Sequence, residues 1–216
     1  MNFDTPLFEQ AILGRALAAG LELPADAVEA LARHARAVID ANPRLHLTAI
    51  VTPREFVERH LGESFAGAAL LDRAIEGPLL DLGSGNGYPG IPLAASRRGL
   101  LPCLAEASAK KAAFLRELLT ELGWSRGSVL EVAVRGPREI AAIGPVRILA
   151  TRAMGHWEKL VPKLVPSLAA DATVLIWAGD AVGEVARRVA WRRLKLEGRH
   201  PLPGRTRSWI WVFRPA

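Results

Sequence analysis

Residues 79–90 read Leu-Leu-Asp-Leu-Gly-Ser-Gly-Asn-Gly-Tyr-Pro-Gly, an apolar run that meets an acid, Asp81, and opens at once into alternating glycines. No other stretch restricts the fold as strongly. The apolar run has the form of a buried strand. Glycines spaced after it let the backbone take φ > 0 and approach a ligand with no Cβ in the way. A small-molecule loop at the carboxyl end of a strand is therefore expected, which is where open α/β sheets hold their ligands.

Two ligands fit such a loop. The literal string Gly85-x-Gly87-x-x-Gly90 matches the dinucleotide fingerprint, in which a helix N-terminus receives a pyrophosphate. The wider pattern, with Asp81 ahead of Gly83, Gly85 and Gly87, is similar to the first motif of S-adenosylmethionine-dependent methyltransferases. Asp81 favours the second reading, because a carboxylate at the strand tip repels a pyrophosphate and attracts the ammonium and sulfonium of S-adenosylmethionine. A plain structural turn is the third reading, and it seldom uses four glycines in eight positions.

The rest of the chain supplies the setting. Thr5-Pro6 opens a helix that runs to Gly20, and Val28, Leu31, Ala35, Val38 and Ile39 recur on one face of a second, over 26–41, which Asn42-Pro43 is expected to stop. Thr52-Pro53-Arg54-Glu55 is a capping box opening a third helix toward Leu71. From Leu79 onward short apolar runs alternate with helical patterns. Strands are expected over 79–82, 101–105, 129–134, 146–150, 173–178, 194–198 and 208–213, and helices over 91–97, 109–122, 156–168 and 180–191. This alternation predicts a Rossmann-like α/β fold with a mostly parallel seven-stranded sheet. Leu202-Pro203-Gly204 reads as the turn of a final antiparallel hairpin. Residues 1–75 are expected to form a helical extension packed on a core of residues 76–216.

Composition excludes several classes. A single cysteine, Cys103, rules out an internal disulfide framework, and no apolar run is long enough to span a bilayer. The first ten residues carry Asp4 and Glu9 and lack the pattern of a secretory signal, so a cytoplasmic protein without membrane contact is expected. Residues 187–216 hold nine Lys or Arg against one acid, Glu197. That local charge of +8, against −2 in residues 1–186, suggests either a polyanionic partner such as nucleic acid or a solvated basic rim.

Further residues at the strand ends could carry chemistry. Glu106 follows Gly85 by 21 positions, where a carboxylate accepts from the ribose hydroxyls of an adenosine cofactor. Arg152 ends the fourth strand on the same sheet edge as Asp81 and Glu106 and could grip a phosphate or a carboxylate. Arg138 and Glu139, after the third strand, are expected to border the adenine pocket. Methylation at C5 of pyrimidines needs a thiolate, and Cys103 sits inside an apolar strand beside Pro102. The Asn/Asp-Pro-Pro-aromatic motif of exocyclic-amine methyltransferases is absent as well. A ring nitrogen such as guanine N7 already presents a lone pair, so positioning suffices and no general base is needed.

On these residues the chain resembles the RsmG/GidB family of bacterial small-subunit ribosomal RNA guanine-N7 methyltransferases. Leu45-His46-Leu47-Thr48-Ala49-Ile50 is similar to the family's Asn-Leu-Thr segment, and Arg59-His60-Leu61-Gly62-Glu63-Ser64 to its Arg-His-x-x-Asp-Ser. Residues 83–93 match its cofactor loop through Pro89-Gly90-Ile91-Pro92, and Glu106 to Lys111, then Phe114-Leu115, match Asp-Ser-x-x-Lys-Arg and Phe-Leu. Thr151-Arg152-Ala153 resembles Ser-Arg-Ala. The resemblance implies S-adenosylmethionine as cofactor, S-adenosylhomocysteine as product, no metal, and 16S ribosomal RNA or the small ribosomal subunit as partner, with the protein a monomer. By the same carry-over, Gly83, Tyr88, Arg138, Glu139 and Arg152 would hold the cofactor, together with Asp81, Gly85, Gly87 and Glu106 expected there from the loop and the strand end. Arg152 and Lys110 would be catalytic, and His46, Thr48, Arg59, His60 and Lys111 would meet the substrate. His46 replaces an asparagine of the family, Glu63 and Glu106 replace aspartates, Arg147 stands where an acid is usual, and Ala178 falls where a lysine is expected. A non-catalytic S-adenosylmethionine- or RNA-binding homologue acting in ribosome assembly is the alternative, and a nicotinamide-dependent oxidoreductase a third.

Overall fold

The computed structural model describes residues 5–50 and 52–216. Asp4 of the N-terminal stretch and the side chain of Thr5, expected to cap the first helix, lie outside the described residues.

The helical opening comprises α1 (Thr5–Ala18), α2 (Ala25–Leu45) and a helix over residues 53–68. The last is made of α3 (Pro53–Phe56), a π-helical turn (Val57–Gly62) and α4 (Glu63–Ala68). α2 buries Val28, Leu31, Ala35 and Val38, an apolar stripe at helical spacing. It does not stop at Asn42-Pro43. It runs on to Leu45 and closes on His46, whose φ of 49° ends the helix and whose N–H donates to the Asn42 carbonyl at 2.9 Å. Pro43 falls in the last turn, where the one intrahelical bond it forfeits matters least. The Asn42 side chain then braces the chain beyond, its Nδ2 donating to the Thr48 carbonyl (3.0 Å) and its Oδ1 accepting from the Thr48 N–H (2.9 Å). Thr52 caps α3 by accepting from the Glu55 N–H at 3.3 Å, while the Glu55 carboxylate pairs with Arg59 rather than closing the box.

Seven strands form one sheet in the order β3-β2-β1-β4-β5-β7-β6. They are β1 (Gly77–Leu82), β2 (Leu100–Glu106), β3 (Ser128–Glu131), β4 (Val146–Arg152), β5 (Leu168–Gly179), β6 (Leu194–Pro201) and β7 (Ser208–Pro215). β7 runs antiparallel to both neighbours and the remaining pairs are parallel. Alternate side chains bury on opposite faces. Leu79, Leu104, Ile148 and Leu175 share a core with the helical opening and with α5 (Gly90–Ser96) and α6 (Ala109–Glu121). Leu80, Cys103, Leu149 and Ile176 face the other core, under α7 (Trp157–Leu164). A mostly parallel sheet covered on both faces needs such two-sided burial.

Two further elements differ from expectation. The third strand ends at Glu131 instead of Val134, because 132–135 leave the ladder to wall a cavity. The helix expected over 180–191 is a short α8 (Val182–Val185) followed by a 3-10 turn, Val189–Trp191. Arg188 is extended between them (ψ 150°), and the Trp191 indole is drawn inward, its Nε1–H donating to the Glu158 carbonyl at 3.0 Å.

Candidate functional site

Strand order reverses between β1 and β4, and the glycine loop stands at that switch point. Gly83, Gly85 and Gly87 take φ of 71°, 54° and 86°. At Gly87 the demand is double: a Cβ would also lie 2.9 Å from His34 Nε2. At Gly90, the first residue of α5, a Cβ would lie 2.7 Å from the Asp81 carboxylate.

Two cavities meet at this edge. The larger, about 530 Å³, lies over the ends of β1, β2 and β4 and is walled by Gly83, Glu106, Val132, Val134, Met154 and Leu160, with Arg135, Lys159 and Lys163 also on its wall. That volume falls in the range of small-molecule sites. The smaller, about 320 Å³, lies between β4, β5, the helix over 53–68 and the turn before β7. Consecutive residues separate them: Arg152 and Ala153 border the smaller cavity, and Met154 to His156 the larger.

Around the larger cavity, Glu106 fixes the loop. Its Oε2 accepts from the Gly85 N–H (2.9 Å) and its Oε1 from the Ser108 N–H (2.8 Å), and each oxygen keeps acceptor capacity for a ligand hydroxyl. Asp81 is fully buried beneath. Its Oδ2 accepts from the Gly90 N–H at 3.1 Å, while Oδ1 has no hydrogen-bond partner among the described residues. Burial pushes this carboxyl up to about 6, against the pull of the Gly90 hydrogen bond and the Arg152 charge. Asp81 is thus not on the cavity wall, and its influence on a ligand is by charge and by the shape of the loop.

Around the smaller cavity, buried Glu63 faces three guanidinium groups: Arg205 Nε at 2.9 Å, Arg59 Nε at 3.2 Å and Arg152 Nη1 at 3.6 Å. Arg152 also donates from Nη1 to the Arg59 carbonyl (3.0 Å) and from Nη2 to His60 Nδ1 (2.9 Å). The π-helical turn carries both Arg59 and His60, the kind of local distortion frequent at functional sites. The Tyr88 ring is stacked between His34 (4.2 Å) and His60 (4.7 Å), with its hydroxyl buried and without a hydrogen-bond partner among the described residues.

The remaining candidates are placed less centrally. Thr48 Oγ1 lies 2.9 Å from His60 Nε2. His46 is an exposed helix cap, Lys110 is exposed at the start of α6 and Lys111 is half-buried behind it; none of the three borders either cavity. Arg138 is exposed, and Glu139 is spent on the Gly136 N–H (2.9 Å) at the start of a 3-10 turn. Arg135 takes the place on the cavity wall that was expected of Arg138. Ala178 borders the smaller cavity. Cys103 is buried in β2, and burial raises its thiol above the ordinary value.

Sequence reasoning missed His34, Trp177 and Arg205. His34 left a trace, a polar residue on the apolar stripe of α2. Arg205 left none, for it meets Glu63 from 142 positions away. The basic run over 187–216 is also divided: Arg205 joins Glu63, Arg199 and Arg207 face Asp180, and Lys195 pairs with Glu197. Arg187, Arg188, Arg192 and Arg193 are exposed and make no ion pair among the described residues.

The family described as rRNA small subunit methyltransferase G, GidB, matches residues 27–188. Two relatives carry the name ribosomal RNA small subunit methyltransferase G. That of Sorangium cellulosum is 32% identical over 178 residues, covering 82% of this chain and 74% of its own. That of Anaeromyxobacter dehalogenans 2CP-1 is 37% identical over 182 residues, covering 81% of this chain and 82% of its own. Among solved structures, the ribosomal protein L11 methylase of Lactobacillus delbrueckii subsp. bulgaricus superposes with a TM-score of 0.56 at 12% identity, over 73% of this chain and 78% of that one, a likeness of fold.

Proposed function

The chain belongs to the small-subunit ribosomal RNA methyltransferase G family, and on that premise we propose that it transfers a methyl group from S-adenosylmethionine to guanine N7 of 16S ribosomal RNA. One observation carries the cofactor assignment: a glycine loop at the switch point, tied to a strand-end glutamate, above a buried aspartate with one oxygen that has no hydrogen-bond partner among the described residues. A cationic, ribose-bearing ligand matches that set of groups, and a pyrophosphate does not. Residues 76–216 are read as the core that holds it and residues 1–75 as the substrate-side extension.

S-adenosylmethionine, when bound, supplies a methyl group activated by a sulfonium. Glu106 would accept from the ribose, the glycine loop would let the backbone approach, and Val132, Val134, Met154 and Leu160 would receive the adenine. The smaller cavity, with Trp177, Ile50 and the guanidinium groups of Arg59 and Arg152, would receive the guanine. Its N7 lone pair needs no base, so the residues act by orientation and by keeping water out. Lys110 and Lys111 would meet RNA phosphates from outside. A ribosomal RNA substrate is in keeping with a cytoplasmic protein. S-adenosylhomocysteine is expected to bind in calorimetry and nicotinamide dinucleotide to give no heat; the reverse order of affinity would reject the assignment.

Cys103→Ala should leave the rate of methyl transfer unchanged, since the thiol is buried and no covalent intermediate is required. A folded Cys103→Ala protein that retains cofactor affinity but forms no product would redirect the chemistry to pyrimidine C5.

RNA affinity should draw on the unpaired arginines. Replacing Arg187, Arg188, Arg192 and Arg193 by Gln is expected to weaken RNA binding and to flatten the dependence of log K on log salt by roughly 0.7–0.9 for each phosphate that is no longer neutralised, with S-adenosylhomocysteine affinity unchanged. Anisotropy titrations across a salt series measure this. An unaltered slope would make the segment a solvated rim. Arg205 and Arg207 are left out because each is committed to an acid.

A further inference from the structure

We propose that His60 is the positioning residue for Arg152: its Nδ1 lone pair fixes the guanidinium on the wall of the smaller cavity, and its ring, stacked on Tyr88, ties that position to the glycine loop. The proposal rests on the functional reading above for the value of holding Arg152 there.

The hydrogen bonds define a single form of the imidazole. A guanidinium only donates, so Arg152 Nη2 at 2.9 Å from Nδ1 requires a lone pair on that nitrogen. The ring proton is then on Nε2, aimed at Thr48 Oγ1 at 2.9 Å. Thr48 is itself held, its Oγ1 accepting from the Ile50 N–H at 3.0 Å. The charged and titratable groups around the ring agree with an uncharged imidazole: Arg152 from β4, Arg59 from its own turn, His34 from α2 and Tyr88 from the loop. Burial first, and then the electrostatic influence of Arg152, His34 and Arg59, hold its basicity well below the ordinary 6.5. Glu63 balances the arginines from one turn further on.

The same ring reaches the glycine loop. His60 and Tyr88 stack at 4.7 Å with planes 24° apart, and Phe56 packs against both in T-shaped contacts. Tyr88 follows Gly87 directly, and the Arg152 guanidinium lies 6.0 Å from its ring. A shift of the loop would therefore move His60 and, through Nδ1, the guanidinium. The side chain of Arg152 is only 15% exposed, so an Nη2 deprived of its acceptor has little water to replace it.

Two variants and one spectrum test this. In a long-range ¹H–¹⁵N spectrum of the imidazoles, His60 should show a pyridine-type Nδ1 and a pyrrole-type Nε2 and should not titrate between about pH 5.5 and 8. His60→Phe keeps a ring on Tyr88 and removes the acceptor. It should lower kcat by about 10- to 100-fold, the loss of one hydrogen bond to a charged group. His60→Asn puts an amide oxygen close to the place of Nδ1 and should recover most of that loss. A protonated Nδ1, a titration near 6.5, or a His60→Asn protein no better than His60→Phe would overturn the proposal. If His60→Phe does not fold, the spectrum and the kcat of His60→Asn decide. A wild-type protein that methylates no RNA would reject the functional reading and leave the nitrogen spectrum as the test of the Arg152 contact.

Discussion

Glu63→Leu is expected to lower stability by about 3–5 kcal/mol, chiefly the cost of leaving the buried Arg152 charge without its acid. The carboxylate faces Arg59, Arg152 and Arg205, of which, among the described residues, Arg59 alone has a second acid in Glu55, and its side chain is 4% exposed. Leucine removes the acid and leaves three guanidinium groups crowded around an apolar side chain. The Glu63 carbonyl would still receive the Trp177 indole at 3.0 Å, so the backbone there has its own anchor and the loss can be assigned to the charges. For a chain of this length the thermal midpoint should fall by roughly 6–20 °C. A midpoint within two or so degrees of the parent would mean that solvent, and not Glu63, balances the arginines.

Asp81→Asn should act in the opposite direction on stability while impairing the ligand site. The carboxyl is raised to about 6 in the folded protein against an ordinary 3.8. The folded state therefore binds the proton more tightly than the unfolded one, and the penalty is absent below the unfolded value. It grows as pH rises through the folded value and is constant above, at about 3 kcal/mol. An amide can still accept from the Gly90 N–H and carries no charge. The variant should be more stable than the parent at pH 8, with the difference shrinking toward zero as pH falls from about 6 to 4. Subtracting the two curves also removes the contribution of buried His34, whose basicity is lowered to about 4 and which destabilises the fold in acid. Affinity for S-adenosylhomocysteine should drop about 10- to 100-fold in the same variant, because its ammonium loses a charge partner. A variant less stable at pH 8, or one with undiminished affinity, would show that Asp81 serves the loop and not the ligand.

These two acids also mark what was legible in the sequence. Asp81, Gly83, Gly85, Gly87 and Glu106 are legible because the chemistry lies in one strand-loop-helix unit and the next strand end, where spacing along the chain is spacing in space. The sheet follows for the same reason, since two-sided burial forces short apolar runs. Pro43 and the segment over 180–191 mislead because local preference yields there to a cap at His46 and to the anchoring of Trp191. The smaller cavity is the least legible part. Its contacts join Arg152 to His60 across 92 positions and Arg205 to Glu63 across 142, and a π-helical turn that no local pattern announces aligns them. The motif Arg59-His60-x-x-Glu63 pointed to the substrate side, but only the fold reveals that its members bind one another and Arg152 before they bind anything else.

The most direct test is to incubate the purified protein with methyl-labelled S-adenosylmethionine and unmethylated 16S ribosomal RNA, digest the RNA to nucleosides and locate the label. All of it should be recovered in 7-methylguanosine. Label in any other nucleoside, or none above a Gly83→Val control, would contradict guanine-N7 transfer.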